Sequence, residues 1–139
     1  MQIVINNCFG GFSLSYAGVM AYAKRAGLKL NAYVNAIRPD GVTDFNRMVP
    51  YDGKSDAFVI YYSKFKLGRN GKVPEKGYFS CREIPRNDPN LIAVVHGLGA
   101  KSFGRCARLN IITIPDGVDW EISEYDGNEH VAQKHQTWS

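Results

Sequence analysis

Residues that could bind an anion occur close to the start of the chain, in the segment NNCFGGFSLS (residues 6–15). The pair Gly10-Gly11 separates a short apolar stretch from a predicted helix. Its backbone N–H groups and the positive end of the helix dipole would suit a phosphate or carboxylate, and Ser13 could add a hydroxyl donor. The pattern is neither GxxxxGK[ST] nor GxGxxG, so neither nucleotide-binding fingerprint is present. A tight turn followed by an N-capping serine, Ser13 or Ser15, explains the same residues without a ligand.

Cys8 is the candidate nucleophile of a hydrolase, because a cysteine that precedes a helix can be activated as a thiolate. Catalysis would need a base that the fold brings close to it, such as His96, His130 or His135. The spacing along the chain does not require such a meeting, and a small buried cysteine beside a turn explains the same residue. We therefore favour a binding protein over an enzyme, with Cys8, His96 and His130 as the alternative catalytic set.

Metal binding is not predicted. His130 and His135 are five residues apart, so on a helix they would point to different faces, unlike the histidines of HExxH. The three cysteines, an odd number, have neither CxxC nor Cys/His ligand spacing. We expect no metal and no cofactor.

Lysine and arginine occur in three groups, with aromatic residues among the first two. The groups are Lys64, Lys66, Arg69, Lys72 and Lys76; Arg82 and Arg86; and Lys101, Arg105 and Arg108. Aromatic rings beside Arg and Lys are what stacking a base and neutralising a phosphate require. The net charge of +4 is low for a protein that binds a long nucleic acid and fits a small nucleotide better. The predicted ligand-binding residues are Gly10, Gly11, Ser13, Tyr78, Phe79, Arg82, Arg105 and Arg108.

The composition is that of a globular protein. With 139 residues, 45% of them hydrophobic and 22% charged, the chain fits one domain, which we predict to span residues 1–139. Its apolar runs are too short for a membrane-spanning helix, and its start has no secretory-signal pattern. The odd number of cysteines, three, favours a reducing compartment. We therefore expect a cytoplasmic protein without a membrane partner.

Charge is unevenly distributed along the chain. Residues 1–115 hold 16 of the 17 Lys and Arg, whereas residues 116–129 hold six of the 13 Asp and Glu and no base. A basic body beside an acidic segment indicates an anionic partner or self-association between unlike patches. A solvated surface with uneven charge explains the same pattern. We expect a homo-oligomer, in which the acidic segment of one copy could meet a basic patch of another.

The order of elements predicts an α/β or α+β protein: one mixed sheet, two main helices, a C-terminal β-hairpin and a short tail helix. The helices are expected from Ser13 or Ser15 to Ala26 and from the N-cap Asp88 to Gly97 or Gly99. Strands are expected at residues 2–6, 28–37, 56–65 and 77–84. The hairpin is expected around the turn Pro115-Asp116-Gly117, and the tail helix within residues 128–139.

The stretches IVINNCFGGFSLS and IPDGVDWEISEYDGNEHVAQKHQTW resemble a family of small proteins encoded by phages and prophages, as does DPNLIAVVHGLG between them. The resemblance covers nearly the whole chain and brings no family activity or site residue with it. It implies an intracellular phage accessory protein that acts against host defence. Some counter-defence proteins hold nucleotide signals in basic pockets, which is an analogy of size, charge and origin.

Three functions are compatible with these observations. The first is sequestration of a small phosphate-bearing nucleotide, such as a cyclic oligonucleotide or an ADP-ribose-type host signal. The second is inhibition of a host defence protein through the acidic hairpin, residues 116–129. The third is a small Cys/His hydrolase that acts on such a ligand.

Overall fold

Two α-helices and eight strands form the described part of the chain, residues 1–134 of a computed structural model. All the strand pairs formed there are antiparallel, so the α+β prediction is confirmed, and separate sheets replace the expected mixed sheet. The chain divides into two compact units. We call Met1–Ala26 with Cys81–Ser139 the terminal unit, and Gly27–Ser80 the middle unit.

The terminal unit contains both helices and two two-stranded sheets. One sheet pairs β1 (Gln2–Asn6) with β6 (Leu109–Thr113), and the other pairs β7 (Trp120–Tyr125) with β8 (Asn128–Gln133). The helices are α1 (Tyr16–Ala26) and α2 (Pro89–Leu98). Buried apolar side chains from both helices and β1 form its core; they include Ile3, Val4, Ile5, Val19, Leu91 and Val95.

Both helices begin and end where the sequence predicts. The Ser15 hydroxyl accepts a hydrogen bond from the Gly18 N–H at 3.0 Å, so Ser15 caps α1, and Gly27 ends it with a φ of +72°. The Asp88 carboxylate caps α2 by accepting the N–H of Asn90 at 2.7 Å. Within residues 1–134, neither helix has the length and apolar composition to cross a membrane.

The middle unit is one antiparallel sheet with the order β3-β2-β4-β5. Its strands are β2 (Asn31–Ile37), β3 (Thr43–Pro50), β4 (Tyr61–Ser63) and β5 (Tyr78–Phe79). The strands expected at 56–65 and 77–84 are much shorter than predicted, and Cys81–Glu83 forms a 3-10 turn instead. The sequence did not predict β3, because TDFNRMVP lacks a clear alternation of apolar and polar residues.

The C-terminal hairpin exists, but its strands and turn differ from the prediction. The strand that precedes Pro115-Asp116-Gly117, β6, pairs with β1 rather than with β7. The hairpin joins β7 to β8 through Asp126 and Gly127, whose φ values of +49° and +86° are typical of a type I′ turn. The tail helix is wrong for residues 128–133, which are β8. Lys134 is not helical either, and residues 135–139 of that prediction, with His135, lie outside the described residues.

Candidate functional site

A depression of about 340 Å³ opens on the terminal unit beside the glycine pair. It is formed by the loop that follows β1, the segment before α2, and the β7–β8 hairpin. Its lining consists of Gly10, Gly11, Phe12, Arg82, Arg86, Glu124, Asp126, Gly127 and Glu129. Two arginines and three carboxylates therefore border the depression, beside glycines that have no side chains.

The glycines are required because two turns pack with their backbones in direct contact. A β-carbon on Gly127 would collide with the backbone nitrogens of Gly10 and Gly11. A β-carbon on Gly10 would lie 2.8 Å from that of Cys106. The Gly10 N–H donates to the Asp126 carbonyl at 3.3 Å. The Gly10-Gly11 turn is thus fixed by the hairpin that it touches.

Arg86 and Glu129 form a bidentate ion pair at the base of the depression. The distances are 2.6 Å from Nη1 to Oε1 and 2.9 Å from Nη2 to Oε2, and the Glu129 side chain is only 4% exposed. Glu129 Oε1 also accepts the backbone N–H of Asn6 at 2.8 Å. The guanidinium carbon lies 3.7 Å from the centre of the Phe12 ring. Arg86 is therefore held by a carboxylate and by an aromatic ring, and the carboxylate compensates its charge.

Asn6 connects the segments that form the depression. Its side chain is fully buried and donates to the carbonyls of Cys8 and Gly127, at 2.7 Å each. Its Oδ1 accepts the Arg108 N–H at 2.9 Å. A buried amide with all these partners fixes the backbone around the site, since leaving any of them unmade would be costly.

Arg82 lies on the 3-10 turn Cys81–Glu83 and borders the depression above the glycine pair. Its Nη2 lies 3.3 Å from the position where a β-carbon would stand on Gly11. The exposed side chains of Glu124 and Asp126 border the same space from the hairpin. The site therefore combines an arginine beside the glycine pair with two exposed carboxylates.

Of the predicted ligand-binding residues, Gly10, Gly11 and Arg82 come together in the depression. They do so away from a helix N-terminus, because α1 begins only at Tyr16, where the capping residue Ser15 donates its N–H to Ser102. The helix dipole is therefore not part of the site.

The other predicted residues lie elsewhere. Ser13 packs against Gly104, whose N–H donates to the Ser13 carbonyl at 3.0 Å. Tyr78 and Phe79 form β5 of the middle unit. Arg105 and Arg108 have exposed side chains and are not among the residues that line the depression.

The alternative catalytic residues are also separated. The Cys8 thiol donates to the Phe9 carbonyl at 3.6 Å, and no hydrogen bond within residues 1–134 joins Cys8 to a histidine. His96 lies on α2 and lines a second depression of about 460 Å³ with Ile92 and Ile111. His130 is exposed on β8, on the face opposite to its neighbour Glu129. Burial raises the pKa of Cys81, which disfavours its thiolate.

Sequence reasoning missed the residues that the hairpin contributes, and Arg86 and Phe12 as part of a site. The signal was the segment YDGNE: Asp-Gly is a strong type I′ turn, which places Glu124 and Glu129 opposite each other on one face. Among residues 1–134, no three His, Cys, Asp or Glu side chains are grouped as metal ligands would be. Comparisons of the chain with protein families, with curated proteins and with solved structures found no match.

Proposed function

We propose that the protein binds and sequesters a small phosphate-bearing nucleotide in the depression beside Gly10 and Gly11. The observation that carries this proposal is the mixed charge of the lining: Arg82 stands beside Gly11, and the carboxylates of Glu124 and Asp126 border the same space. A nucleotide has complementary groups, because its phosphate accepts from arginine and the amino groups of its base donate to carboxylates.

The shape of the depression supports a ligand of this class. Its volume of about 340 Å³ lies at the lower end of small-molecule sites and suits one nucleotide unit. Arg86 provides a wall that the buried Phe12 ring supports, and a guanidinium plane can stack on a base. The hydrogen bonds of Asn6 and Glu129 hold this wall in place before a ligand arrives. A preformed site binds without a large ordering cost.

Binding without turnover is the simpler proposal, since Cys8 makes its hydrogen bond to the neighbouring Phe9 carbonyl and not to a base. The resemblance to phage-encoded proteins supplies the biological context that we propose. In that context the ligand is a nucleotide signal of host defence, cyclic or ADP-ribose-like, and the protein acts in the host cytoplasm.

Inhibition of a host protein through residues 116–129 is less well supported by the positions of the acidic residues. Glu129 is buried against Arg86, and Glu124 and Asp126 border the depression. The Asp116 carboxylate binds the N-terminal amine at 2.7 Å, which lowers the pKa of Asp116. Glu129, one of the six acidic residues of this segment, is therefore not available to a partner protein.

The test is a binding screen on the purified protein. Cyclic di- and trinucleotides, mononucleotides and ADP-ribose are incubated with the protein, which is then washed and denatured, and the released compounds are identified by mass spectrometry. We expect one of them to be recovered intact. Recovery of an altered compound would indicate an enzyme, and recovery of none would contradict the proposal.

A variant locates the site. Arg82→Ala is expected to weaken binding of the recovered compound by about tenfold or more, because a charge-assisted hydrogen bond contributes about 1.5–3 kcal/mol. Arg108→Ala is the matched control, since this arginine is exposed in the same unit and does not line the depression. Equal losses in the two variants, measured by calorimetry, would exclude the depression as the site.

A further inference from the structure

The net positive charge of the chain belongs to the middle unit. Residues 27–80 carry nine Lys and Arg against five Asp and Glu, whereas the remaining residues carry eight of each. A total of +4 is low for the whole chain as a binder of long nucleic acids, but here it is concentrated on one small unit. The middle unit also contains three of the most exposed aromatic residues of the described chain, Phe45, Phe58 and Phe65.

A bulge in β3 presents one of these rings to solvent. Met48 pairs with Asn35 and Asp44 pairs with Ala36, so the three residues 45–47 have no register partner on β2. Phe45, within this bulge, is 78% exposed. Bulges often re-aim side chains beside functional sites.

Basic side chains lie next to the bulge. The Met48 N–H donates to the Gly71 carbonyl at 3.0 Å, and Arg47 Cγ lies 3.1 Å from the position of a β-carbon on Gly71. The loop that contains Gly71 is closed by a 2.9 Å hydrogen bond from the Gly68 N–H to the Lys72 carbonyl. This contact brings Arg69 and Lys72, both exposed, to the same edge of the sheet as Arg47.

Further basic residues and an aromatic ring lie on both sides of the Gly68–Lys72 loop. The Lys64 N–H donates to the Gly77 carbonyl at 3.0 Å, and the Phe65 ring packs directly over Gly77, where a side chain would collide with it. Phe65 is nevertheless 51% exposed. Residues 64–76 carry five basic side chains, all exposed, and one acidic residue, Glu75.

We propose that the surface formed by Phe45, Arg47 and residues 64–76, here called the basic–aromatic surface, binds single-stranded nucleic acid. Two exposed rings, Phe45 and Phe65, lie among Lys and Arg side chains on this surface. They provide what an unpaired strand needs, namely faces on which bases stack and positive charges for the phosphate backbone. A duplex keeps its bases stacked and would leave the rings unused.

Fluorescence anisotropy with a labelled 20-nucleotide oligothymidine tests this proposal on the full chain. We expect binding at 50 mM salt that weakens about 50-fold at 200 mM, as four phosphate contacts on a single strand require. Phe45→Ala should weaken binding about fivefold or more at constant salt, because it removes one stacked base. Tyr125→Ala is the matched control, since this ring is 79% exposed in the terminal unit, and it should leave binding unchanged.

A second pair of variants tests the charges. Lys66→Ala with Lys72→Ala should reduce the slope of log affinity against log salt by about 1.4, whereas Lys24→Ala with Lys101→Ala, exposed lysines of the terminal unit, should not. Arg82→Ala should bind the oligonucleotide as the unmodified protein does, which separates this surface from the nucleotide site.

Four results would overturn the proposal. The first two are the absence of oligonucleotide binding at 50 mM salt and tighter binding of the same oligonucleotide when it is annealed to its complementary strand. The other two are binding that is unaffected by Phe45→Ala, and binding of phosphatidylserine vesicles in place of the oligonucleotide. An effect of Arg82→Ala equal to that of Phe45→Ala would assign the strand to the depression instead.

Discussion

The two units of the chain differ in the burial of their charged and aromatic side chains. In the terminal unit Glu129 is buried in a bidentate pair with Arg86, and the Phe12 ring lies under the guanidinium with 3% of its surface exposed. In the middle unit the Phe45 ring and the lysines of residues 64–76 face solvent. The terminal unit thus has the fixed polar groups that suit a small ligand, and the middle unit has the open surface that suits a long one.

The two units also differ in the number of buried apolar side chains in their cores. Most buried apolar side chains of the described residues belong to the terminal unit, whereas the middle unit contributes Leu30, Tyr33, Ala36 and Val73. Few buried contacts correspond to low local stability. Substitutions in the terminal unit should therefore change the free energy of unfolding far more than substitutions on the basic–aromatic surface.

The largest effect is expected from Glu129→Gln. This change leaves the Arg86 guanidinium, 16% exposed, without its countercharge, and breaking a buried ion pair from one side costs about 3–5 kcal/mol. Urea denaturation monitored by circular dichroism measures the loss. Glu124→Gln is the control, because Glu124 stands opposite Glu129 on β7 but is exposed, and it should change stability by about 0.5 kcal/mol or less.

If both substitutions had equally small effects on the free energy of unfolding, the buried Arg86–Glu129 pair would not stabilise the terminal unit more than an exposed carboxylate does. A double variant, Arg86→Met with Glu129→Leu, removes both charges. It should recover part of the stability lost in Glu129→Gln, since replacing both partners of a buried pair is often close to neutral.

Gly127→Ala is expected to cost about 3 kcal/mol. The added methyl group would collide with the backbone nitrogens of Gly10 and Gly11, and an alanine at a φ of +86° is strained by itself. Gly117→Ala separates the two causes, because its φ is +79° and nothing lies within 4 Å of an added β-carbon. It should cost about 1 kcal/mol, from backbone strain alone. Equal losses in the two variants would show that the contact between the turns does not matter.

Tyr22→Phe should have a moderate effect that depends on pH. The Tyr22 hydroxyl donates to Asp88 at 2.9 Å, and burial together with this carboxylate raises the pKa of Tyr22 to about 12. We expect a loss of about 1–2 kcal/mol at pH 7 in urea denaturation. Because the folded chain holds this proton more tightly than the unfolded chain, the contribution is complete below pH 10 and disappears as the pH rises through about 12.

The difference in stability between the unmodified protein and Tyr22→Phe should therefore shrink between pH 10 and 12. Tyr125→Phe provides the control, since its ring is 79% exposed, and it should change stability at neither pH. A difference that stayed constant up to pH 12 would mean that the hydrogen bond to Asp88 does not hold the Tyr22 proton.

Local chemistry made the helix ends predictable from the sequence. Ser15 and Asp88 cap helices because their side-chain oxygens reach N–H groups two or three residues away, and Gly27 ends α1 because it adopts a positive φ. These interactions span a few residues, so the sequence around each of them contains all the information.

Long-range pairing could not be predicted in the same way. Two turn-forming segments, at Pro115-Asp116-Gly117 and at Asp126-Gly127, each satisfy the chemistry of a turn, and only the pairing of β6 with β1 decides between them. Asn6 contacts Gly127 across 121 residues. The sequence predicts a turn at the glycine pair before a helix, whereas the structure shows that the pair contacts the hairpin and lies away from the start of α1.

Phe45→Ala is expected to have the smallest effect on stability, within about 0.5 kcal/mol, because its ring lies in a bulge and is 78% exposed. Phe12→Ala is the matched change in the terminal unit and should cost about 3–5 kcal/mol, because its ring is buried beneath Arg86. Denaturation curves of the two variants compare the same residue type in two settings. A loss above about 2 kcal/mol for Phe45→Ala would mean that the ring supports the middle unit, and a ring that the fold needs would not be free to stack on a base.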